Sequence, residues 1–423
     1  MAAETERAVK RRRRRGVRRG IISTLAVVGA WSVVITGMAP PAVAVDDVQS
    51  KQWYLDAMRA EDMWKVTTGE GIKVAVIDTG VNPNTPSLKG QILKGLDATR
   101  IGKETDDYAG HGTTMAELIA GTGKGGGLQG LAPGVKIIPM RISDTEFQNE
   151  NPVKGGDAED AIRAAADSDA QIISMSFGSD YSSPEEREAA KYAESKGKLF
   201  FAAAGNNADN GNKRQFPASY PNVIGVASAD NKGNVSDYSQ HGGSVDIASP
   251  GSDIPAWCDN KFQSYCGGDG GTSSATAIAS ASAALLWSAH RDWTANQVLR
   301  VLFDTASRTW KESERSSYLG NGLIRPGVNI LHGKGDPGDP DINPLTNEKT
   351  PGIPGSATPS PASSASSKAP APDDKSADGD KAVAAGAADD AGGNKTVLFV
   401  GTVAVVAVLA GGAFAVVRRR RSA

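Results

Sequence analysis

The sequence predicts an α/β fold, a mostly parallel central sheet with helices on both faces, followed by a C-terminal transmembrane helix. Three observations carry this expectation. Short, β-branched apolar runs recur between residues 45 and 332, and helical patterns fall between them. Such alternation gives a parallel sheet covered on both sides. Residues 396–417 are an uncharged apolar run of 22 residues, long enough to cross the ~30 Å of hydrocarbon in a bilayer.

Taken in order, residues 1–44 read as a signal peptide. Arg11 to Arg15, with Arg18 and Arg19, precede an apolar stretch from Ile21 to Met38, and Ala42 and Ala44 supply small residues for cleavage. The apolar stretch is slightly long, so an uncleaved anchor is the alternative; the arginine pairs fit twin-arginine export poorly. In residues 45–63, the spacing of Trp53, Tyr54, Leu55, Met58 and Met63 puts apolar groups on one side of a short helix. This segment is expected to stay attached and pack on the body, the alternative being a frayed terminus.

Strands are predicted at 72–77, 135–142, 171–177, 198–203 and 222–227. Helices are predicted at 157–167 and 184–196. The second has Ser183 as N-cap, Pro184 in its first turn and Glu186 to complete a capping box. Residues 333–395 are Pro-, Ala- and Ser-rich with few large apolar groups, which predicts a disordered linker. After the spanning run, Arg418 to Arg421 mark the cytoplasmic side, so residues 418–423 form a cytoplasmic tail. Both basic ends then lie inside and everything between lies outside.

Charge separates along the chain. The formal net charge is −2, but removing residues 1–20 and Arg418 to Arg421 leaves 33 basic against 46 acidic residues, about −13. A nucleic-acid-binding body is excluded, since little positive charge remains to meet phosphates. Cys258 and Cys266 are the only cysteines, too few for a disulfide-dense scaffold. Outside the cell they are expected to pair, worth roughly 2–3 kcal/mol for so short a loop. A metal site is the rival reading, poor without a local histidine. His241, His290 and His332 read as structural or surface residues, and Trp287 and Trp293 as core.

Three motifs carry chemistry. Asp78 ends the strand 72–77 in Asp78-Thr79-Gly80, His111 opens a small-residue helix, and Ser273 follows a glycine turn into a long apolar helix. A hydroxyl nucleophile needs a base, and the base needs a carboxylate to orient it. A helix N-terminus beside His111 is expected to disfavour the imidazolium and keep the ring neutral. Ser273 at a helix start presents its own N–H to a developing oxyanion. Each motif alone is weak: a strand-end Asp, a turn His and an N-cap Ser all occur by chance. Their order is the one found in subtilisin.

With VAVIDTGV (74–81), HGT (111–113), SMSFG (174–178), AAAGN (202–206), ASPG (248–251) and GTSSAT (271–276), the chain resembles the subtilisin-type serine proteases, the subtilases, over roughly residues 53 to 330. The resemblance implies Asp78, His111 and Ser273 as catalytic triad and Asn206 as side-chain donor of the oxyanion hole. It implies that Ser176, Phe177 and Gly178 bind substrate backbone as an added strand. Protein or peptide substrates follow, with no cofactor; structural calcium, usual in the family, is left unassigned, and no metal ligand is named. Asn207 brings no charge to the pocket region, so a strong preference for basic side chains is not indicated. Ala277 stands where relatives usually have Pro, and residues 45–71 leave no room for the family's long propeptide.

The architecture is similar to that of mycosins, membrane-anchored subtilases of actinobacterial type VII secretion. It implies a single-pass cell-membrane protein with catalytic domain 45–332 outside. Two rivals stand against this reading. An aspartic protease needs a second Asp-Thr-Gly, and Asp304-Thr305-Ala306 does not supply one. A subtilase-fold scaffold of a secretion complex, with little required proteolysis, is the alternative.

Overall fold

The computed structural model describes residues 48–152, 157–268 and 270–351. The residues read from the sequence as signal (1–44), spanning helix (396–417) and tail (418–423), and all of the expected linker beyond residue 351, lie outside them. The chain divides into two units, Met1–Ser360 and Pro361–Ala423, and the described residues all belong to the first. Among these residues no helix is long and apolar enough to cross a membrane.

The elements run α1 (Trp53–Ala57), α2 (Ala60–Trp64), β1 (Lys73–Asp78), β2 (Leu96–Asp97), α3 (His111–Ala120), β3 (Lys136–Arg141), α4 (Thr145–Glu150), α5 (Asp157–Asp167), β4 (Ile172–Met175), α6 (Pro184–Ser195), β5 (Leu199–Ala203), β6 (Ile224–Ala229) and β7 (Ile247–Pro250). Then follow a hairpin, β8 (Ala256–Trp257) and β9 (Tyr265–Cys266), and helices α7 (Thr272–Ala289), α8 (Ala295–Asp304) and α9 (Gly327–His332). The seven-stranded sheet has order β2-β3-β1-β4-β5-β6-β7, parallel throughout.

The predicted strands are apolar without interruption because both faces are covered. Val74, Val76, Ile137, Ile172 and Phe201 face one core, shared with α3, α7 and α8. Their neighbours Ala75, Ile77, Ile138, Ile173 and Phe200 face the other, shared with α5 and α6. Helix α7 is buried on every side from Ser274 to Trp287. Its alanines and serines have no long side chains to keep neighbouring strands away, and it runs unbroken through Ala277. The capping box at α6 is only half made. Ser183 accepts from the Glu186 N–H, while the Glu186 carboxylate takes the Tyr220 hydroxyl instead.

The N-terminal extension packs as expected, with Tyr54 and Met63 fully buried and Trp53, Leu55 and Met58 against the same core. The single helix of the sequence reading is two short ones, broken at Arg59, whose φ of 59° is left-handed.

The linker boundary needs correction. Residues 333–351, expected to be disordered, pack on α8 and α6. Thr294 and Asn296 donate to the Pro340 carbonyl, Asn296 also to Thr350 Oγ1, and Asn343 to Glu194. Leu345 lies against the core. Composition misses this because polar side chains, not an apolar stripe, hold the strap. Ending the chain at residue 332 should lower stability by roughly 2 kcal/mol or more, read as a lower thermal midpoint than a chain ending at 351. Equal midpoints would refute that contribution.

Candidate active site

Strand β1 lies between β3 and β4, so the chain leaves it on one side and returns on the other. A crevice opens beyond the carboxyl end of such a strand. Asp78 is the last residue of β1 and is only 3% exposed. Its Oδ1 accepts the Thr79 N–H at 2.8 Å and His111 Nδ1–H at 2.7 Å. The carboxylate accepts only, so Nδ1 carries a proton, and Nε2 is the nitrogen that acts as base once the ring has given up its second proton.

Helix α3 reaches Asp78 because two glycines permit it. A Cβ on Gly112 would sit 2.1 Å from the Gly80 carbonyl, and one on Gly110, where φ is 80°, would sit 2.7 Å from the Asp259 carbonyl. The hairpin β8–β9 holds the helix from the other side. Trp257 N–H donates to Thr114, Asn260 to the Tyr108 carbonyl, and the Tyr265 hydroxyl to Glu117 at 2.7 Å. Burial raises the Glu117 pKa to about 7, against the lowering effect of the Tyr265 hydrogen bond. Cys258, the first residue after β8, is disulfide-bonded to Cys266 at the end of β9.

Ser273 is the second residue of α7. Its hydroxyl donates to the Ser176 carbonyl at 3.3 Å, and Ser176 Oγ donates back to the Ser273 carbonyl at 3.4 Å. The Ser273 hydroxyl is thus turned to the 176–178 segment and not hydrogen-bonded to His111. Ser176, Phe177 and Gly178 follow β4 and pair with no strand among the described residues, until Ser179 bridges Phe216. Asn206 Oδ1 accepts from Thr272 N–H at 2.9 Å and Thr272 Oγ1 at 2.8 Å. With its oxygen so engaged, the amide directs its NH₂ away from Thr272. The sequence reading passes over Thr272, although it is the residue before Ser273 and the one that orients Asn206.

The expectation of a neutral His111 is corrected. Burial pulls its pKa down, but the Asp78 charge and hydrogen bond, with Asp107 and Asp144 beyond, outweigh this and raise it to about 9. The half-charge at a helix N-terminus is too small against three carboxylates from three different segments. Among the described residues, no group of three or more His, Cys, Asp or Glu is placed to hold a metal ion.

A carboxylate stabilises the imidazolium, so removing it must lower the pKa. The His111 ring C–H resonance should therefore titrate near pH 9, and Asp78→Asn should move the midpoint down by more than about a unit. A wild-type midpoint at or below the ordinary value of about 6.5 would contradict this.

Comparison with known proteins agrees with the geometry. The sequence profile of the subtilase family matches residues 69–322. Thermitase of Thermoactinomyces vulgaris is 33% identical over 277 residues, 65% of this chain and 94% of that protein. The thermophilic serine proteinase of Bacillus sp. (strain AK1) is 37% identical over 232 residues, and the match covers about half of its length, 55%. Among solved structures, the MycP3 protease from the type VII (ESX-3) secretion system matches with TM-score 0.56 and 29% identity, over 66% of this chain and 87% of its own. MycP1 from Mycobacterium smegmatis matches with TM-score 0.57 and 26% identity, over 68% and 86%.

Proposed function

Because the chain belongs to the subtilase family, we propose that it is a serine endopeptidase with Asp78, His111 and Ser273 as its triad. The observation that carries the reading is the 2.7 Å bond from His111 Nδ1 to buried Asp78, made in the crevice at the end of β1. A peptide lies along 176–178 as an added strand. The Ser273 side chain turns from the Ser176 carbonyl to His111 Nε2, gives it a proton and attacks the scissile carbonyl carbon. Asn206 Nδ2 and the Ser273 N–H receive the oxyanion. His111 then protonates the leaving amine, and the released segment departs, leaving an acyl-enzyme. Water, deprotonated by the same ring, hydrolyses the ester and restores Ser273.

Two further elements of the reading rest on the sequence and on the neighbours. The mycosin structures are named for type VII secretion systems, and we place this chain in that setting. Residues 396–417 anchor it, with the body outside the cell and residues 418–423 inside. Pairing of Cys258 with Cys266 suits an oxidising exterior.

In full-length protein, Ser273→Ala should abolish labelling by a fluorophosphonate and cleavage of peptides while the thermal midpoint is kept. Retained labelling would refute the assignment. Asn206→Ala should lower kcat by roughly 10²–10³-fold, a range taken over from the corresponding asparagine of subtilisin. Protease added to intact cells should digest the body but spare a tag placed at residue 423; loss of the tag would overturn the anchored topology.

A further inference from the structure

Gly110 stands at the N-cap of α3 and has no side chain to cap it, yet the close approach of the Asp259 carbonyl excludes a larger residue there. The capping role falls to Asp107, three residues earlier and 8% exposed. Its Oδ1 accepts from Thr79 Oγ1 at 2.7 Å, Gly110 N–H at 2.8 Å and Ala109 N–H at 3.1 Å. Its Oδ2 accepts from Thr113 N–H at 2.9 Å and Thr113 Oγ1 at 2.6 Å. Thr79 Oγ1 in turn accepts the Gly112 N–H at 3.0 Å, and the Thr79 N–H is held by Asp78.

These bonds join two pieces of chain that have no covalent reason to keep register. One is the end of β1, with Asp78 and Thr79; the other is the first turn of α3, with His111 between Gly110 and Gly112. An isolated carboxylate buried this deeply would be costly, and five donors make it stable and directional. We propose that Asp107 is a positioning residue for the reaction, a second carboxylate that sets His111 against Asp78 by clamping the segments that carry them. The proposal rests on the triad reading above.

Displacement of a reacting group by about 1 Å costs on the order of 10²-fold in rate, so a clamp of this kind acts on turnover more than on substrate binding. It also contributes charge. His111 is faced by Asp78 from β1, Asp107 from the preceding loop and Asp144 from the turn before α4. Tyr108 lies close by in sequence, and Arg141 lies over the Tyr108 ring at 5.7 Å while paired with Asp97. On the hairpin, the Asp259 carboxylate is turned to the Lys261 N–H. Asparagine at 107 keeps the shape but removes the charge and replaces one acceptor with a donor.

The test is Asp107→Asn in full-length protein, assayed by fluorophosphonate labelling and peptide cleavage across pH. Expected are a fall in kcat and labelling rate of roughly 10- to 100-fold, a KM within about twofold, and an acid limb of the pH profile moved to lower pH. Thr79→Val, with the Asp107 charge intact, should lower kcat in the same way, and Thr79→Ser should recover it. A folded Asp107→Asn with wild-type kcat and pH profile would overturn the proposal, as would a loss residing in KM alone. If Asp107→Asn does not fold, Thr79→Val decides, and an undiminished kcat there overturns it too. A wild-type protein that never labels sinks both readings; one that labels no faster than Asp107→Asn sinks this one alone.

Discussion

The seating of α3 on the end of β1 is the constraint on which the rest of the site depends. A helix and a strand end rarely come so close that a methyl group would fall 2.1 Å from a carbonyl oxygen. Here they do, and Gly112 is the condition for it. Everything on the acidic side of the crevice is arranged around that approach. β1 supplies a buried carboxylate, α3 supplies the imidazole one residue before the contact, and the hairpin β8–β9 closes over the helix from outside. On the opposite side, α7 lies against β4 to β7 and brings Ser273 up to the segment that follows β4. The sheet is therefore less a scaffold beneath the site than the ruler that spaces its two halves.

Much of this is legible in the sequence, for a physical reason. Strands buried on both faces leave an unbroken apolar signature, so β1 and β3 to β6 can each be read to within about two residues. Residues that meet across the crevice sit at element boundaries marked by glycine, which is why Asp78, His111 and Ser273 stand out in order. β7 is legible only as the motif ASPG, because Ser249 and Pro250 cut its apolar run short, and the hairpin only as a pair of cysteines, because two-residue strands carry too little pattern.

What is not legible depends on partners distant in the chain. The charge state of His111 cannot be argued from its own helix, because Asp107 and Asp144 reach it from other segments. Thr272 looks like spacing within a motif until its hydroxyl and N–H are seen on Asn206. The strap at 333–351 is short of apolar residues, and apart from Leu345 against the core its contacts with α8 and α6 are mostly hydrogen bonds of polar side chains. Conversely, the break at Arg59 is local, but a left-handed residue other than glycine or asparagine gives no compositional warning.

The strap has a topological consequence. Its last described contacts, Thr350 with Asn296 and with the Asp341 carbonyl, tie the chain down before the Pro/Ala/Ser-rich stretch begins. A cut anywhere beyond Pro351 leaves all of these contacts within the folded unit. Loss of the sequence beyond the strap and loss of structure are thereby separate events for this molecule: the trimmed unit keeps its crevice intact.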